Sequence, residues 1–109
     1  MEKQKVYDQE LKKMQEIFRD VDEPKRKLVE GLIEDAAFLK AENASLREAM
    51  KATGMVKIHP ERPGLQKTVE AAKQYLRNVN SYATVIKTLN GVLSKNILED
   101  EDDLSEYED

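Results

Sequence analysis

His59 is the single histidine of this 109-residue chain, set between Ile58 and Pro60, and there is no cysteine. A histidine alone in a polar loop is a solvated side chain before it is a base or a ligand. The chain contains neither a glycine-rich phosphate loop nor a zinc-ligand spacing, so the residue sets for those chemistries are missing. Carboxylates are abundant, but Glu30, Glu34 and Asp35 read as the solvated or inter-subunit flank of a helix seam. No catalytic residue, cofactor or metal ligand is expected, and the chain reads as a non-enzyme.

Phosphate binding is the chemistry that remains. Bases cluster at Lys12-Lys13, at Lys25-Arg26-Lys27, and around a loop at Lys57, Arg62 and Lys67. Singly, each cluster is ordinary helix-surface charge interleaved with acids. Repeated around an oligomer, the same bases form a positive ring on which phosphate contacts add up and binding becomes salt-dependent. Zinc fingers, RNA-binding aromatic motifs and a convincing helix-turn-helix are all missing. Tyr75 and Tyr82, seven residues apart beside an apolar seam, read as packing residues with hydroxyls at the rim, not as platforms for bases.

Charge is unevenly distributed. The net charge is −4, from 18 Lys and Arg against 22 Asp and Glu, but residues 99–109 hold eight of those acids and no base. Without that tail, 18 bases face 14 acids, so the body is positive. Within the tail, Leu104 and Tyr107 are two apolar anchors on which an acidic segment can dock to a partner, the alternatives being a solubilising tail or a mimic of nucleic acid.

Helices must position these groups. Charged residues make up 37% of the chain and aromatics 6%, which is rich in helix formers and poor in core filler. A core this thin favours oligomerisation as the way to bury apolar stripes. Tyr7, Leu11, Met14, Phe18 and Val21 step by four and three, giving a first helix within residues 1–22. Asp22, Glu23 and Pro24 then end it, by a break or a kink, and suit the first turn of a second helix.

That second helix is expected over about 24–53. Val29, Leu32, Ala36, Leu39, Asn43, Leu46 and Met50 form its heptad seam, and Gly54 is its stop. Asn43 is a polar residue in the middle of the seam, a device that fixes register or assembly number. The first half is apolar too far round for one neighbour and calls for two. Residues 55–64, MVKIHPERPG, read as a loop in which Met55, Val56 and Ile58 can form a short extended piece.

A third helix is expected over about 65–94, with its main seam at Leu65, Val69, Ala72, Leu76, Val79, Ala83, Ile86, Asn90 and Leu93. Tyr75, Tyr82 and Leu89 make a flanking stripe, and Ala71, Asn78, Val85 and Val92 a partly apolar third row. Two long helices joined by about ten residues fold back antiparallel. The expected fold is all-α: a short N-terminal helix, then a coiled-coil-like helical hairpin over 23–95 that assembles into a ring, then a disordered acidic tail over 96–109. The residues expected to carry oligomerisation are Val29, Leu32, Leu39, Asn43, Leu46, Leu76, Tyr82 and Ile86. No apolar run approaches the roughly 20 residues of a membrane span, and the charged N-terminus lacks a signal-like stretch, so a soluble intracellular protein is expected.

The order of segments resembles a known family. DEPKRKLVEGLIEDAAFLKAENASLREAMKATGMV, followed after a polar loop by YLRNVNSYATVIKTLNGVL and an acidic end, is similar to the short terminase small subunits of tailed bacteriophages of Gram-positive hosts. The shared pattern is an LV-x-x-LI-E-x-AAF core, here Leu28 to Phe38, and an N-x-Y-x-x-x-IK-x-L core, here Asn80 to Leu89, so the likeness covers roughly residues 15–95. It implies a non-enzymatic protein in the host cytoplasm that assembles as a ring, binds viral double-stranded DNA, and regulates the terminase large subunit, which carries the ATPase and nuclease. The portal is a further contact it implies. A coiled-coil scaffold or adaptor without a DNA role, and an acidic protein imitating DNA, are the alternatives.

Overall fold

The computed structural model describes the backbone of residues 3–105 and the side chains of residues 3–97. Three helices and one small sheet follow in order: α1 Lys3–Ile17, α2 Glu23–Thr53, β1 Val56–Ile58, β2 Gln66–Thr68 and α3 Glu70–Ser105. The molecule is a rod of 77 × 28 × 18 Å.

Helix α1 ends where its apolar row turns inward. The Phe18 N–H donates to the Met14 carbonyl and the Val21 N–H to the Phe18 carbonyl, and both side chains are buried in the turn that follows. Asp22 caps α2 through its carbonyl, which accepts from the Arg26 N–H at 3.0 Å, with Pro24 in the first turn where its missing donor costs nothing. At the far end Gly54 takes φ 72°, a left-handed conformation a side chain disfavours, and its N–H closes on the Met50 carbonyl at 2.7 Å. Both boundaries fall where the sequence puts them.

Helices α1 and α2 run antiparallel, with Lys3 meeting Glu42 at 3.2 Å while Val21 and Val29 share the core at the other end. Helix α3 returns along α2, bringing Leu89 against the cluster of Met14, Phe18, Val29, Ile33 and Ala36. The first half of α2 therefore meets two neighbours and the second half only α3, as its pattern of apolar faces requires. The heptad seam of α2 lies inside: Val29, Ala36, Asn43 and Met50 are buried and Leu32, Leu39 and Leu46 partly so.

Three expectations are corrected. Residues 55–64 are not simply a loop: Val56–Ile58 pairs antiparallel with Gln66–Thr68 in a β-hairpin that projects from the end of the rod. Helix three accordingly starts at Glu70, not near residue 65, and Leu65 and Val69 lie outside it. Pro63 and Gly64 turn the chain back, and the Val69 N–H pairs with the Met55 carbonyl, not with a helical partner. At the other end α3 continues to Ser105, so residues 96–105 extend the helix where a disordered tail was expected. The acids Glu99–Asp103 oppose the negative end of the helix dipole and the last turn holds no base, which is why the sequence reads as a stop near Lys95.

The face that α3 turns to its own chain also differs from the expected seam. Asn78 and Leu89 are buried and Ala71, Tyr75, Tyr82, Val85 and Val92 partly so, a continuous four-three heptad row. Of the row expected to be the main seam, Ala72 is buried and Ile86 and Leu93 pack against the core, while Leu76 is 49% and Val79 37% exposed and Ala83 and Asn90 are open to solvent. Two heptad rows share one helix, and a single chain covers the second only in part.

Candidate functional site

The β-hairpin concentrates what could bind an anion. All six strand residues are exposed, so the ribbon has two open faces and no core of its own. A free two-stranded ribbon is marginally stable, so its turn has to be well tied. His59 does much of this. Its Nδ1 accepts from the Glu61 N–H at 3.2 Å and the Arg62 N–H at 3.1 Å, its own N–H donates to the Leu65 carbonyl at 3.0 Å, and the Leu65 N–H donates to the Arg62 carbonyl at 2.8 Å. The histidine is exposed, as expected of a solvated side chain, and it also organises the turn.

Lys57 stands directly opposite Lys67 across the ribbon. Like charges in facing positions weaken a sheet, so the pair is a liability to the hairpin unless an anion answers it. Arg62 sits in the turn beyond them. None of these three bases has an ion-pair partner among the described residues. Val56 and Ile58, with Gln66 and Thr68 facing them, occupy the opposite side of the ribbon, and Val56 and Ile58 are 42% and 57% exposed. The ribbon thus carries a cationic face and a half-apolar face.

The other basic clusters are placed differently. Lys13 bonds to buried Glu10 at 3.1 Å, Lys27 to Glu23 at 3.4 Å, and Lys25 lies 3.8 Å from Asp22. Arg26 and Lys27 line a groove whose remaining wall includes Glu23, Glu30 and Glu34. Phosphate would meet more acids than bases there. Lys12 is exposed on α1, and no second base cluster joins it. The structure does not bring the eight candidate DNA-binding residues together; it puts Lys57, Arg62 and Lys67 at one end and the rest on the flank of the three-helix half.

Of the residues expected at an interface between copies, Val29, Leu32, Leu39, Asn43, Leu46 and Tyr82 are used within the chain. The Tyr82 hydroxyl donates to Glu10 Oε1 at 2.9 Å and Lys40 Nζ lies 5.4 Å from its ring centre, joining all three helices at one polar node. Burial, then the hydrogen bond to Glu10, then the Glu10 charge push the phenol up to about 12. Asn43 is 7% exposed and its Oδ1 has no hydrogen-bond partner among the described residues. Ile86 is partly buried and packs against the core as well, so Leu76 alone of this set faces outward. Leu104 lies in the last helical turn with its side chain outside the described residues, as is all of Tyr107.

Sequence reasoning passed over a second outward surface. Leu28 is 80% and Phe38 56% exposed on α2, Phe38 at the edge of a groove it shares with Lys3, Gln4 and Tyr7 of α1. The signal was present, since both lie off the seam, but a two-neighbour reading of α2 assigned them to the core. Among the described residues no group of three or more His, Asp or Glu side chains converges to hold a metal ion, and no helix is long and apolar enough to cross a membrane. Comparison with known proteins finds no matching family model, no matching curated protein and no matching solved structure.

Proposed function

We propose that this chain is a non-catalytic small subunit of a phage DNA-packaging terminase, one that assembles with copies of itself, binds viral double-stranded DNA and regulates the large ATPase/nuclease subunit. The observation that carries the DNA part is the hairpin, where Lys57 faces Lys67 with Arg62 in the turn. A two-stranded ribbon fits the major groove of B-DNA, and unpaired bases on it answer phosphates on either side. Several chains, each holding one hairpin, add their contacts. The terminase part rests on the resemblance of the two helical cores, and the acidic C-terminal segment is the surface offered to the large subunit or the portal.

The test is titration of duplex DNA against the full chain and a Lys57→Ala/Arg62→Ala/Lys67→Ala variant at 50 and 200 mM salt. Binding should fall steeply with salt, with a slope of about −0.9 per phosphate contact, and the variant should lose most of that slope. A Lys25→Ala/Arg26→Ala/Lys27→Ala variant should bind almost as well as the parent. Absence of DNA binding by the parent at low salt, with assembly intact, would establish the scaffold reading instead. Co-purification with a large terminase subunit tests the remaining part, and deleting residues 97–109 should weaken it.

A further inference from the structure

The outside of the rod carries two unlike surfaces on two different helices. On α3, the open row of Leu76, Val79 and Ala83 runs beside Arg77, Lys87 and Lys95, all three exposed and without an ion pair among the described residues. No acid occurs on this helix between Glu70 and Glu99. On α2, Leu28, Gly31, Asp35 and Phe38 follow at steps of three, four and three, so they share one outward row. Asp35 on this row and Glu34 at its edge are exposed and likewise lack ion pairs among the described residues, while Lys27, one turn before Gly31, is paired with Glu23. Nothing lies within 4 Å of the position a side chain at Gly31 would take, so another helix can approach closely.

Apolar side chains lie on both surfaces, bases flank one and acids flank the other. We propose that copies of this chain join head to tail, the α3 row of Leu76 and Val79 with Arg77 and Lys87 seating on the next copy's α2 row of Leu28 and Phe38 with Glu34 and Asp35. The occupant is a second copy because the two surfaces complement each other in charge while each would repel itself. An α3-to-α3 contact would oppose Arg77 and Lys87 to their own images. A heterologous contact leaves one surface of each kind free at either end, so it closes into a ring or continues. The inference deepens the assembly part of the proposed function and rests on it, but not on DNA binding.

Two charge-reversed full chains test it: Glu34→Lys/Asp35→Lys, and Arg77→Glu/Lys87→Glu. Each alone opposes like charges, and its assembly should weaken on the order of tenfold or more, read by sedimentation with helicity checked by circular dichroism. Mixed in equal amounts they should assemble again, because each supplies the surface the other now needs. If either variant assembles like the parent, or the mixture stays apart, the proposal is overturned. The chain has no cysteine, which allows an independent check that leaves the charges alone. Leu76→Cys and Phe38→Cys chains should cross-link to one another through a short bismaleimide and not to themselves. A Leu76→Cys homodimer as the main product would establish a symmetric contact and overturn the head-to-tail one. Parent chains that remain monomeric at tens of micromolar would sink it together with the assembly part of the function, whereas loss of DNA binding with cross-linking intact would remove only the DNA part.

Discussion

The half of the rod that holds α1 and the half that carries the hairpin are built from the same two helices, yet only the first has a core. Near α1, Met14, Phe18, Val21, Val29, Ile33, Ala36 and Leu89 bury one another, and the Glu10–Tyr82 bond ties the first helix to the third. Toward the hairpin Ala72 and Met50 are buried with two asparagines, Asn43 and Asn78, while Leu76 and Val79 stay outside. Three helices close a small core; two helices cannot, and the remaining apolar surface faces outward. One half is therefore closed on itself and the other leaves apolar side chains exposed.

The largest test of that contrast sets one core deletion against one outward deletion. Phe18→Ala empties a site 3% exposed and should cost about 3–5 kcal/mol, comparable to the whole stability of so small a domain. Its thermal melt should broaden or disappear. Leu76→Ala, in a side chain 49% exposed, should leave the melt of a dilute sample nearly unchanged and act on assembly alone. Equal losses in the two variants would mean that the hairpin half has a core of its own.

Tyr82→Phe comes next. It removes the donor to a carboxylate that is 6% exposed, and leaving a buried acceptor unsatisfied costs about 1–3 kcal/mol. The same bond sets an alkaline limit. The phenol is held at about 12 against an ordinary 10, so its contribution is fully present below pH 10 and fades as pH rises from 10 to 12. Melting temperature followed through that window should fall more in the parent than in Tyr82→Phe; parallel curves would show that the hydroxyl does not matter to folding.

Asn43→Leu should change stability in the opposite direction. The Asn43 Oδ1 is buried without a partner among the described residues, in the weaker half of the α2–α3 contact. Replacing it with an apolar side chain of similar size should raise stability by about 1 kcal/mol, read as a higher denaturant midpoint. Because Asn43 lies inside a single chain, subunit number should stay the same, and a changed number would return it to the role of specifying assembly.

Much of this was legible in the residues and some was not. The extent of α2, its Pro24 start and its Gly54 stop followed from spacing and capping, whereas α1 ends at Ile17 and leaves Phe18 and Val21 of its apolar row in the turn beyond. For α3, periodicity identified two apolar rows but could not rank them, because Leu76-Val79-Ala83 and Tyr75-Asn78-Tyr82 keep the same rhythm. Only the partner across the contact decides, and Glu10 drew Tyr82 inward. The hairpin was missed because three-residue strands carry no measurable period and because a turn tied by His59 Nδ1 leaves no signature beyond one histidine ahead of a proline.

The smallest expected effect is on the hairpin itself, and it separates stability from binding. Lys57 and Lys67 face each other with no acid between them, so Lys57→Thr removes a like-charge pair and adds a β-branched residue. The ribbon should gain roughly a few tenths of a kcal/mol, detectable as slower amide exchange at Lys57 and Lys67 and invisible in the global melt. Affinity for duplex DNA should fall at the same time, and the slope of its logarithm against log salt should shrink by about one phosphate's share. Opposite signs in the two measurements would show that Lys57 is retained for an anion and against the interest of the fold. A ribbon that loosens in Lys57→Thr would mean that the lysine stem packs on its neighbours, and the hairpin would then belong with the structural half of the molecule.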